Sequence, residues 1–115
     1  MSERENRRQL PRARFDRPVA VQSGGRLFTA DLEQISEGGL RLACGELDLR
    51  LTELTVRVPL RGRFGRVDHC DLSGRVVRHR DSTVGVALGR LLPRHLLQLR
   101  DYVWRASREA AQARD

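Results

Sequence analysis

The chain has 115 residues, 39% of them apolar, and carries 22 basic against 15 acidic side chains, a formal charge of +7. All 22 are arginine, a bias that reads as compositional; it tilts the surface toward anions and phosphates without naming a partner. One domain of this size buries roughly two thirds of its unfolded surface, while Cys44 and Cys70 make neither a secreted disulfide framework nor a Cys-x-x-Cys metal pair, and the absence of an apolar leader or membrane-length run points to the cytoplasm.

Residues 1–17 are polar and arginine-rich, interrupted by Leu10, Ala13 and Phe15, with Pro11 and Pro18 favouring an extended path. They read as a flexible basic arm outside the core. Pro18 to Gln22 is the first predicted strand, and Ser23-Gly24-Gly25 is a turn. Arg26 to Ile35 alternates imperfectly, with Phe28, Ala30, Leu32 and Gln34 on one parity, and fits a strand better than a helix. Leu40 and Leu42 continue the pattern after Gly38-Gly39. Leu54, Val56, Val58 and Leu60 alternate cleanly, the clearest half-buried strand in the chain. Val67 to His79 is a further strand, with a bend or bulge expected near Asp71-Leu72-Ser73-Gly74, and Thr83 to Leu88 follows a turn at Asp81-Ser82. Short strands with no crossover helix between them predict an all-β antiparallel barrel or sandwich and not a βαβ fold. Leu92, Leu96, Leu99 and Val103 recur at helical spacing, so residues 93–105 are expected to form a helix that closes one end of the barrel, with a homodimer through the same stripe as a second reading. Residues 106–115 read as a fraying polar tail. The predicted organisation is therefore arm 1–17, barrel and helix 18–105, tail 106–115.

Catalytic and metal readings find little support. In a strand, Asp68 and Cys70 face one side and His69 and Asp71 the other, so the cluster cannot converge on a metal. His79 and His95 have no evident acidic or cysteine partners, and no Ser/His/Asp order emerges. Five aromatic residues, Phe15, Phe28, Phe64, Tyr102 and Trp104, do not make the closely spaced platform that single-stranded nucleic acid stacks upon. Two other segments point to a small ligand. Arg7-Arg8-Gln9-Leu10-Pro11-Arg12 places guanidinium forks ahead of the body, and Gln34-Ile35-Ser36-Glu37-Gly38-Gly39 is a tight turn leaving a strand, with a hydroxyl and backbone N–H groups. Together they suit a flat, multiply anionic ligand, the arginines taking phosphate and purine edges.

These segments, in this order, resemble the PilZ domain, a small bacterial receptor module for cyclic di-GMP. The family carries R-x-x-x-R before its barrel, matched by Arg8 to Arg12 with Arg7 as a doubled arginine, and D/N-x-S-x-x-G at a strand end, matched from Gln34 to Gly39. Gly74-Arg75-Val76-Val77-Arg78, Val84-Gly85-Val86-Ala87-Leu88 and a Leu-rich helix with Tyr102-Val103 follow the late-barrel pattern of the family. The resemblance implies a six-stranded barrel and a non-enzymatic receptor in which cyclic di-GMP, held by Arg7, Arg8, Arg12, Gln34, Ser36 and Gly39, orders the arm and presents a face to a protein partner. It implies no metal or other cofactor. Where the family has Asp or Asn, this chain has Gln34, whose carbonyl sits one methylene further out. A guanine donor left unpaired there costs about 1–3 kcal/mol, so the expectation is weakened binding or its loss. The competing readings are a PilZ-fold adaptor that binds protein without ligand and, more remotely, a nucleic-acid-binding barrel.

Overall fold

In the computed structural model, which describes residues 11–44, 52–62, 64–80 and 82–113, the chain forms antiparallel strands followed by a helix. The strands are β1 (Arg12–Ser23), β2 (Arg26–Ser36), β3 (Gly39–Ala43), β4 (Glu53–Arg61), β5 (Val67–Arg80) and β6 (Thr83–Leu88); the helix is α1 (Pro93–Ala113). Each strand hydrogen-bonds its neighbours in the order β1-β2-β3-β6-β5-β4, and β4 returns to β1 to close a barrel. The six-stranded antiparallel barrel expected from the sequence is the observed architecture.

Period-two patterning fills its interior. Leu54, Val56, Val58 and Leu60 of β4 point inward, with Val19 and Val21 of β1, Leu40 and Leu42 of β3, Cys70 and Leu72 of β5, and Val84 and Val86 of β6. The imperfect alternation of β2 has a physical cause. Between Leu32 and Gln34 the pairing with β3 slips by one residue at Glu33, so Ala30 and Leu32 face the core before the slip and Ile35 after it. Opposite, β1 carries its own irregularity between Arg14 and Arg17, where Asp16 takes the left-handed backbone with φ of 52°.

Four expectations need correction. The first strand begins at Arg12 and not Pro18, because residues 12–14 pair with 34–36 of β2 and bury Ala13 despite their polar surroundings. The bend expected near residues 71–74 is absent: β4 and β5 pair without interruption from Glu53↔Arg75 to Arg61↔Val67, and the slip in β5 lies later, between Val76 and Arg78 against β6. The helix continues past residue 105 to Ala113, sustained by residues of good helix propensity where a frayed tail was predicted. Its buried stripe is His95, Leu99 and Val103, while Leu92, ahead of the helix, is exposed.

The seam between β1 and β4 is short, pairing only residues 20–22 with 55–57. Where the two strands part, α1 fills the mouth. Leu99 and Val103 are fully buried there, Tyr102 meets Phe15 of β1 edge to face at 6.1 Å, and the Arg105 guanidinium donates to the Arg61 carbonyl oxygen at 2.6 Å. Burial, with Asp68 and Asp71 adding repulsion, pushes the Cys70 thiol up to about 11, so it stays protonated and donates to Gln98 Oε1 of α1 at 2.9 Å.

Candidate functional site: a cationic groove on the barrel wall

Outward-facing residues in neighbouring strands line up in rows because directly opposed residues share a face of the sheet. One row runs Arg14, Gln34, Arg41, Gly85 and Arg78 across β1, β2, β3, β6 and β5. The next contains Arg12 beside Ser36, and Gly39 beside Ala87. Between these side chains lies a groove of about 480 Å³ on the outer wall, within the range ligand sites occupy. Arg12, Gln34, Ser36, Gly38 and Gly39 form one end, Val77, Arg78 and Arg80 the other, and the small residues Gly85 and Ala87 lie on the floor.

Of the sequence-predicted ligand residues, the structure gathers Arg12, Gln34, Ser36 and Gly39 at that first end. Arg7 and Arg8 lie outside the described residues. Ser36 closes the turn itself, for its Oγ accepts the Gly39 N–H at 3.1 Å and donates to the Gly39 carbonyl at 3.3 Å. Gln34 is half-buried, and its amide has no hydrogen-bond partner among the described residues, so both its donor and its acceptor remain free. The turn is tied to the helix through Glu37, whose carboxylate receives the guanidinium of Arg100.

The electrostatics favour an anion. Arg41 is engaged by Glu33 at 3.3 Å, but Arg12, Arg78 and Arg80 have no carboxylate partner among the described residues. Val77, Arg78 and Arg80 are groove residues that sequence reasoning missed. Their signal was the basic run Arg75-Val76-Val77-Arg78-His79-Arg80, which strict alternation cannot place on one face. No group of His, Cys, Asp and Glu able to hold a metal occurs among the described residues, and no described helix is long and apolar enough to cross a membrane.

The closed barrel, its closing helix and the groove beside the strand-end turn together define the fold class. Residues 6–104 match the family described as PilZ domain, and the chain belongs to that family. No curated protein sequence matches it. Among solved structures, it resembles the inhibitor of motility MotI/DgrA of Bacillus subtilis, with a TM-score of 0.73 at 15% identity over 93% of this chain. The chain spans about half, 53%, of that protein's length. The PilZ domain of CeSA from a cellulose-synthesizing bacterium aligns with a TM-score of 0.63 at 18% identity, covering 81% of this chain and 94% of that one. The PilZ domain of YcgR from Escherichia coli, solved with c-di-GMP, aligns with a TM-score of 0.50 at 21% identity, covering 95% and 98%.

Proposed function

We propose that this chain is a non-enzymatic receptor for cyclic di-GMP that acts as an adaptor, binding the ligand in the wall groove and offering the altered surface to a protein partner. The observation that carries the reading is the meeting of Arg12, Gln34 and Ser36 on adjacent strands at one end of a groove whose cations Arg12, Arg78 and Arg80 have no carboxylate partner among the described residues. Membership of the PilZ family, one of whose domains is solved with c-di-GMP, supports it. Arg12 takes a phosphate or the O6/N7 edge of a guanine through its fork. Gln34 accepts from a guanine N–H through its carbonyl, Ser36 offers its remaining lone pair, and Gly39 completes the turn beneath. In this reading Arg7 and Arg8, from the segment ahead of β1, complete the ligand set, and participation of Arg7 would favour a stacked pair of ligands.

Calorimetric titration with cyclic di-GMP tests the reading. Arg12→Ala is expected to weaken binding by about 2–3 kcal/mol, or roughly thirty- to a hundred-and-fiftyfold, by removing charge-assisted bonds. Gln34→Asp is expected to tighten it, since a shorter carboxylate accepts from both N1–H and N2–H of one guanine. Absence of heat and of chemical-shift changes in residues 34–39 at saturating nucleotide would replace the receptor with a ligand-independent adaptor.

A further inference from the structure

We infer that Arg78 and Arg80 form a second anion subsite at the far end of the groove, holding the ligand phosphate that faces away from Arg12. The inference rests on the receptor reading above and extends it to residues of β5.

The slip in β5 puts them there. Val76 pairs with Val86, yet Arg78 pairs with Gly85, so Val77 is an extra residue without an opposite number on β6. Unbroken alternation would set Arg78 opposite Val84, facing the barrel interior. The bulge instead turns Arg78 and Arg80 out onto the groove and sets His79 opposite Val84. That arrangement has a cost, for the His79 Nε2 is buried without a hydrogen-bond partner among the described residues. The floor is shaped to match. A Cβ on Gly85 would stand 3.2 Å from the Cβ of Arg78, so the missing side chain leaves room for the arginine stem to lie across β6. Neither arginine has a carboxylate partner among the described residues, whereas Arg41 between the two ends is held by Glu33.

Cyclic di-GMP presents two phosphates on opposite sides of a closed ring. Arg12 on β1 and Arg78 on β5 stand four strand spacings apart, roughly 19 Å along the wall, a gap that extended arginine side chains narrow from both ends. One phosphate then lies with Arg12 and the other with the fork of Arg78, with Arg80 beside it. GMP, with a single phosphate, occupies one end only.

The test is calorimetry with cyclic di-GMP and with GMP on the full chain, comparing wild type, Arg78→Ala, Arg80→Ala, Arg78→Lys and Arg12→Ala. Arg26→Ala, in the hairpin at the opposite end of β2, is the charge control. Arg78→Ala is expected to weaken cyclic di-GMP binding roughly tenfold or more, with Arg78→Lys recovering only part because charge returns without the planar fork. Arg26→Ala should stay within about twofold, as a screened distant charge. The Arg78→Ala loss should be smaller for GMP. Wild-type affinity in Arg78→Ala and Arg80→Ala beside a loss in Arg12→Ala overturns the subsite and leaves the receptor standing. Equal losses in all variants including Arg26→Ala, or no binding by the wild type, overturn both.

Discussion

A methyl group on Gly39 would stand 2.7 Å from the backbone carbonyl oxygen of Val86, closer than real side chains come. That glycine is therefore required by the β3–β6 pairing, whatever approaches from the groove. Gly39→Ala is expected to destabilise the fold by about 1–3 kcal/mol through forced strand displacement, read as a lower urea midpoint with an unchanged slope. Arg12, Gln34 and Ser36 were legible as neighbours because their segments stand at the two ends of one antiparallel hairpin, β1 and β2, and so meet across it. Arg78 and Arg80 were not, since a single unpaired residue at Val77 decides which way both point, and periodicity carries no sign of it. The same blindness hid the inward turn of Ile35 after Glu33. In both places the bulge separates an apolar wall from a polar groove more finely than any alternation of residue types announces.

At the scale of elements, β4 and β6 matched their predicted limits closely, being short, apolar on alternate positions and bounded by turn residues. β1 did not, because residues 12–17 read as arm by composition and become strand only through β2, a non-local partner. The helix was legible in existence but shifted in face: His95 fills the place on the barrel mouth that leucine spacing had given to Leu92. Since Leu99 is fully buried between the helix and the strands, Leu99→Ala is expected to cost about 2–5 kcal/mol. Thermal unfolding followed by circular dichroism would register it. A second measure is the emission of Trp104, on the same helix and half-exposed, which should shift as α1 loosens.

For the whole molecule, the closed circuit of strands leaves little backbone edge for a partner to extend, so recruitment falls to side chains on the wall and on α1. If nucleotide draws the arm onto the groove, hydrogen exchange at saturation should slow in residues 1–11 and in the 34–39 turn, with the amides of β4 unchanged. Protection confined to the turn would remove arm closure from the mechanism while leaving binding intact. β1 begins at the groove with Arg12, and three residues later Phe15 rests against Tyr102 of the helix that plugs the barrel mouth. The neighbouring turn at the same end of the groove is joined to the same helix by Glu37 and Arg100. Two short levers thus run from one groove to one helix, and thermodynamic reciprocity governs what a ligand seated there could pass along them. A protein that grips α1 more firmly when the nucleotide is seated must raise the nucleotide's own affinity by the same factor. For the proposed receptor, the nucleotide concentration that triggers a response is then set jointly by the groove and by how much of that protein is present.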